Sequence, residues 1–227
     1  MKIAGLQKTT LLDYPEHVAA TLFLGGCNMR CPFCHNSELI ENPEELYTKE
    51  TIFHFLEKRK GILDGVCISG GEPTIHSDLP DFINDIKSLG YLIKLDTNGT
   101  NPTMLRQLIE HCSIDYVAMD IKSGLSSYPA ACGCDISTDC VLESISILKE
   151  ECISYEFRTT VVPELHKRMD MLQIGEMLQG NSNYFLQSFL PSAQVMAGYF
   201  HSPSIELLKE YQQLVRRFLP NTFIRGV

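Results

Sequence analysis

The sequence predicts an α/β fold: a parallel sheet with outer helices, curved into a partial (βα)6 TIM-like barrel and built as one domain over residues 1–227. Two observations carry that expectation. Strand-like apolar runs alternate with helix-like stretches six times, which implies parallel strands joined by right-handed crossovers. Four polar motifs then fall at or just after the C-terminal ends of successive strands, the face on which barrel enzymes assemble their sites. Six units are fewer than the eight of a closed barrel, so a doubly wound sheet also fits the count. Convergence of four motifs on one face favours the open barrel.

Each element has its own local reason. Residues 17–24 (HVAATLFL) form a buried apolar strand that stops at Gly25 and Gly26. Residues 48–60 place Ile52, Phe53 and Leu56 on one helical side. Residues 65–68 form a short strand that ends in Ser69-Gly70-Gly71-Glu72-Pro73. Residues 79–89 are helical, and residues 91–95 are a strand leading into Asp96-Thr97-Asn98-Gly99-Thr100. Residues 102–111 are helical with Pro102 in the first turn, where its missing N–H costs nothing. The alternation continues with strands at 114–121, 154–162 and 184–190, and helices at 139–151, 166–178 and 204–218. No linker, internal repeat or low-complexity segment interrupts it.

The loop after the first strand reads Gly25-Gly26-Cys27-Asn28-Met29-Arg30-Cys31-Pro32-Phe33-Cys34-His35-Asn36. Its C-x3-C-x2-C spacing offers three thiolates, and a four-iron cluster takes four ligands. One iron is then left with an open position, where a substrate or cofactor can bind. A structural zinc site is the plainer reading, with Cys31 and Cys34 as a knuckle completed by His35 or a distant cysteine. Zinc sites pair two such knuckles, and no second one follows here. Cys67, inside an apolar run, reads as a small hydrophobe. Cys132, Cys134 and Cys140 could hold a second cluster, but their spacing matches no ligand pattern, and exposed incidental thiols are the simpler account.

Composition narrows the classes. An apolar fraction of 44% supplies a core, and no run approaches the ~18 apolar residues of a membrane helix. The net charge of −9 argues against a nucleic-acid surface. Nine cysteines with no apolar signal segment after Met1 point to metal chemistry in a reducing, cytoplasmic compartment.

Gly70-Gly71-Glu72-Pro73 sits directly after a strand. Paired glycines let a backbone approach a ligand closely, or simply make a tight strand-to-helix turn. Glu72 could accept hydrogen bonds from a ligand ammonium group. Asp96, Asp120 and Lys122 add two acids and a base to the same mouth, suiting an amino-acid-like ligand or a cation held by oxygen.

Together, Cys27-x3-Cys31-x2-Cys34 with Phe33 before the last cysteine, and Gly70-Gly71-Glu72-Pro73 downstream, resemble the radical S-adenosylmethionine superfamily. Within it, the chain resembles glycyl radical enzyme activases, specifically anaerobic ribonucleoside-triphosphate reductase activating proteins. That likeness rests on residues 5–15 (GLQKTTLLDYP), Cys34-His35-Asn36, Asp96-Thr97-Asn98-Gly99 and Asp120-Ile121-Lys122. The cysteine-rich insertion of many activases is missing, since no cysteine occurs between Cys34 and Cys67.

The resemblance implies a 4Fe-4S cluster on Cys27, Cys31 and Cys34, with S-adenosylmethionine (SAM) on its open iron. One electron would cleave SAM to methionine and a 5′-deoxyadenosyl radical, which takes hydrogen from a glycine of a partner enzyme. It further implies that Glu72 and the backbone of Gly70 and Gly71 hold the amino end. Phe33, Cys34 and His35 would lie by the adenine through their backbones, and Asp120 and Lys122 by the ribose and methionine. Asp96, Thr97 and Asp120 would hold a monovalent cation, as in the pyruvate formate-lyase activase, with Arg158 as a further carboxylate contact. That activase's late-strand histidine has no counterpart in Gln187-Ser188-Phe189-Leu190-Pro191-Ser192. The implied partners are a glycyl radical enzyme, such as anaerobic ribonucleotide reductase, and a flavodoxin- or ferredoxin-type electron donor. A similar core occurs in enzymes acting on small molecules, of the 7-carboxy-7-deazaguanine synthase type. A third reading is a metal-stabilised binding or electron-transfer module, in which the glycine motifs are only turns.

Overall fold

The computed structural model describes residues 1–41, 43–111, 113–195 and 197–226, so Cys112 lies outside the described residues. Its elements run β1 (Ile3–Thr10), β2 (Ala19–Leu24), α1 (Lys49–Lys58), β3 (Gly65–Gly70), α2 (Leu79–Ser88), β4 (Leu92–Thr97) and α3 (Pro102–Glu110). They continue with β5 (Tyr116–Asp120), α4 (Tyr128–Cys132), α5 (Thr138–Glu150), β6 (Ser154–Val161), α6 (Arg168–Leu178), β7 (Asn183–Ser188), α7 (Ile205–Val215) and β8 (Thr222–Arg225).

The eight strands form one sheet in chain order, β1 to β8. β2 to β8 are mutually parallel, and β1 runs antiparallel to β2. A doubly wound sheet would reverse its strand order part-way, so the sequential order leaves the open barrel. The six expected strands are β2 to β7. Two edge strands were not expected. β1 exposes Gln7, Lys8 and Thr9 in mid-strand, so it lacks an apolar run, and β8 is only four residues long.

The core lies between the sheet's outer face and the helices. Leu22, Ile68, Leu95, Val117, Phe157 and Leu186 of the strands are fully buried there. Helix α2 contributes Leu79, Phe82, Ile83 and Ile86, at helical spacing. The opposite, concave face is polar. Lys94 and Asp96 of β4 are two apart in sequence and share it, as do Asp120 of β5 and its register partner Arg158 of β6.

Helix starts fix the loops on the mouth side. The Asn101 side chain accepts the Met104 N–H (3.1 Å) and caps α3, while its amide donates to the Thr74 carbonyl (2.7 Å). Asn101→Ala removes both bonds, and an expected loss of about 1–2 kcal/mol is measurable by urea unfolding.

Candidate active site

Two turns bring the motifs together. Gly70 has φ +113°, and a Cβ there would lie 2.4 Å from the Leu24 backbone. A Cβ on Gly71 would lie 2.0 Å from the Gly26 carbonyl oxygen. Only glycine allows that approach. Gly71 N–H then donates to Leu24 O (2.8 Å) and Glu72 N–H to Gly26 O (2.9 Å). The glycine pair is therefore a tight turn that also stitches β3 to the root of the cysteine loop.

A cavity of about 240 Å³ opens above the strand ends. It is lined by every residue proposed from sequence: Cys27, Cys31, Phe33, Cys34, His35, Gly70, Gly71, Glu72, Asp96, Thr97, Asp120, Lys122 and Arg158. Residues given no role from the sequence also line it: Asn36, Ser69 and Asn98 from the named motifs, with Met29, Ile40, Thr160 and Gln187. Gln187 stands near the position where no histidine was found. Its strand-end place on β7 was the available signal.

Glu72 does a different job from the one expected. Its side chain is buried, with the residue 1% exposed. Oε1 accepts from Thr74 N (3.0 Å), Thr74 Oγ1 (2.6 Å) and Thr97 Oγ1 (2.8 Å), and Oε2 accepts from Asn98 N (2.6 Å). Burial raises its pKa, against those donors. The carboxylate thus clamps the glycine turn to the Thr97-Asn98 turn instead of facing a ligand ammonium.

Behind the cavity lies a chain of charges. Arg158 Nε donates to Asp120 Oδ1 (2.8 Å), and its Nη1 lies 3.5 Å from Asp96 Oδ2. Lys122 Nζ reaches Asp120 Oδ2 (3.1 Å), Lys94 pairs with Asp96, and Ser69 Oγ donates to Asp96 Oδ2 (3.0 Å). Burial alone would raise the Asp120 pKa, but Arg158 and Lys122 outweigh it and hold the carboxyl at about 2. Asp96 is likewise lowered, by Arg158 and Lys94 against burial. Three cations meet two carboxylates in this chain, and Glu72 adds a third carboxylate to the cavity lining. Cys67 is fully buried as expected, but its neighbour is Lys94 Nζ at 3.8 Å, not hydrocarbon alone.

The thiols of the trio are partly or fully buried. Burial pushes Cys31 up to about 12 and also raises Cys27, against the nearby Lys122 charge. Among the described residues, no three His, Cys, Asp or Glu side chains converge on a point suited to a single metal ion. Cys132, Cys134 and Cys140 lie outside the cavity lining. These thiols are not exposed: Cys132 is fully buried, and Cys134 and Cys140 are half-buried.

Residues 189–195 and 197–200 reach over the cysteine loop. His35 Nε2 donates to Leu190 O (2.7 Å), Ser37 Oγ donates to Gln194 O, and Ala197 N–H donates to Pro32 O (3.3 Å). His35 also packs against the Phe189 ring, 5.3 Å away. His166, unremarked in the sequence, positions the site from below. Val162 N–H donates to its Nδ1 (2.9 Å), which leaves Nε2–H to donate to Lys122 O (2.7 Å). Burial lowers its pKa, against the backbone bonds to Lys122 and Val162. Below about pH 6.5 the unfolded chain binds a proton there that the folded chain does not. Stability should therefore be full above pH 6.5 and fall as pH drops through that value, by at most about 1.4 kcal/mol per unit. Urea unfolding at several pH values checks this, because His166→Gln should flatten the slope.

The family model that matches this chain is the Radical SAM superfamily, over residues 21–173. The chain belongs to that superfamily. A Methanocaldococcus jannaschii protein, named as a candidate glycyl-radical enzyme activating enzyme, is 30% identical over 232 residues. The match spans 99% of this chain and 96% of that protein. The 7-carboxy-7-deazaguanine synthase of Aquifex aeolicus is 34% identical over 77 residues, a third of each chain (34% and 34%). Among solved structures, Streptococcus suis SuiB bound to S-adenosylmethionine aligns with TM-score 0.68 at 13% identity, covering 91% of this chain and 52% of that one. At that identity the likeness is one of fold. Superfamily membership implies a 4Fe-4S cluster and SAM. The residues present fit both: three thiols line the same cavity as the Arg158 guanidinium and Lys122 ammonium, donors suited to a carboxylate. No helix among the described residues is long and apolar enough to cross a membrane.

Proposed function

We propose that this radical SAM chain is a glycyl radical enzyme activase, with anaerobic ribonucleoside-triphosphate reductase as its partner and a flavodoxin- or ferredoxin-type protein as electron donor. The observation that carries the reading is the near-complete alignment with the M. jannaschii candidate activase. The deazaguanine synthases of Aquifex aeolicus and Haemophilus influenzae align with 34% and 44% of the chain.

When bound, the cluster and SAM supply one-electron cleavage of a carbon–sulfur bond. Cys27, Cys31 and Cys34 would ligate the cluster. Gly70 and Gly71 would present backbone oxygen to the amino end of SAM, held in place by the Glu72 clamp. Arg158 and Lys122, which line the cavity, would receive its carboxylate. Because these charges are already fixed by hydrogen bonds, they need no reorientation during reaction. Phe33, Cys34 and His35 would flank the adenine through their backbones, and Asp120 and Lys122 the ribose. A monovalent cation on Asp96, Thr97 and Asp120 would have to share both carboxylates with Arg158, which bridges them here.

The deciding experiment is anaerobic EPR on the iron-loaded, reduced protein mixed with SAM and the reductase. A glycyl radical on the reductase, absent without SAM, supports the activase. If 5′-deoxyadenosine instead forms in proportion to a small-molecule product with no partner protein present, the deazaguanine synthase type of reading replaces it.

A further inference from the structure

The Cys132-Gly133-Cys134 segment at the end of α4 has no part in the cavity, yet it is seated on the cysteine loop. Arg30 N–H donates to Cys132 O (2.8 Å), and the Cys134 thiol lies 3.6 Å from Asn28 O. Gly133 is left-handed at φ +69°, and a Cβ there would lie 2.0 Å from Arg30 O. The two backbones are in direct contact. Asn28 and Arg30 both fall between the ligand positions Cys27 and Cys31. Asn28 also ties the loop to the Asn98 turn, where the Asn98 amide donates to its Oδ1 (2.9 Å).

The left-handed glycine also folds the two thiols toward each other, Sγ to Sγ 3.7 Å. Cys134 is half-buried, whereas Cys132 is fully buried behind it. That is the arrangement of an accessible attacking thiol with a shielded resolving partner.

We propose that Cys132 and Cys134 are a redox modification site: a dithiol that closes to a reversible disulfide and thereby displaces the cysteine loop. The oxidant is a low-molecular-weight disulfide such as oxidised glutathione. The Cys134 thiolate attacks one of its sulfurs, breaking that S–S bond and releasing one small thiol. The Cys132 thiolate then attacks the Cys134 sulfur and releases the second. Two electrons and two protons leave the protein thiols and end on the two small thiols. Bonding draws the sulfurs from 3.7 Å to about 2.05 Å. With Gly133 already against Arg30, the segment has no slack, and the motion passes to Asn28 and Arg30.

The test uses cluster-loaded protein, held anaerobically in glutathione buffers of graded oxidation. Each sample is alkylated for peptide mass mapping, and a parallel sample gives the EPR change on SAM addition. The expected result is a 132–134 peptide lighter by two hydrogens, with the SAM response lost over the same range of buffers. Dithiothreitol should restore both, and Cys134→Ser and Cys132→Ala should keep the response throughout. The proposal is overturned if no such peptide forms at the most oxidising ratio, or if it forms with the SAM response intact. It is also overturned if the two variants lose the response as the wild type does. The mass measurement needs no reductase, so it stands apart from the activase reading.

Discussion

Cys31→Ala will fold and will not cleave SAM. Cys31 sits at the centre of the trio, and two remaining thiolates do not hold a four-iron cluster whose third protein ligand is gone. The expected outcome is loss of the cluster's visible absorbance and of 5′-deoxyadenosine formation, down to the level of cluster-free protein. The thermal transition of the apoprotein should shift only slightly, for a cost of about 1 kcal/mol. Cys67→Ala is the control. Its thiol is as buried as that of Cys31 but faces Lys94, so it should lose a similar stability and keep the cluster. Full SAM cleavage by Cys31→Ala would sink the cluster assignment.

Glu72→Gln will be costly in a different way. Two backbone N–H groups and two hydroxyls point at the carboxylate. An amide in its place keeps one acceptor and turns an N–H2 group on donors that have no other partner. The expected destabilisation is about 2–3 kcal/mol in urea unfolding, together with loss of SAM binding as the two turns drift apart. The pairing of effects is the point. A variant of unchanged stability that still fails to bind SAM would return Glu72 to the role of ammonium acceptor.

The legible parts of the fold were those with uninterrupted local signals. β2 to β5 are closed by glycine, aspartate or asparagine and β6 and β7 run on to Pro163 and Pro191, and such runs read as strands without tertiary information. β1 is a strand only because β2 supplies its ladder, since Gln7, Lys8 and Thr9 have no apolar alternation. α4 was missed although Pro129 in its first turn and Gly133 at its end are ordinary helix punctuation; five residues are simply too few to show a period. The cavity was legible because its motifs sit at strand ends, which the parallel topology places on one side. Partnerships were not. Glu72 meets Thr97 and Asn98 from another turn, and His166 meets Lys122 from 44 residues away. Lys94 held a clue that went unused: a lysine within a buried strand needs an anion on its own face, and Asp96 is two residues on.

The strap formed by residues 189–195 and 197–200 has a bearing on how the enzyme is made. Its bonds to His35 and Ser37 join residues 155 and 157 positions apart. A chain emerging from the ribosome presents the cysteine loop long before β7 exists, and N-terminal units organise first. The strap is thus a late arrival over an early segment that carries the proposed cluster ligands. Iron delivery has an unobstructed window during synthesis, and afterwards requires that a few hydrogen bonds be released, so the order of translation itself sets when metallation is easiest.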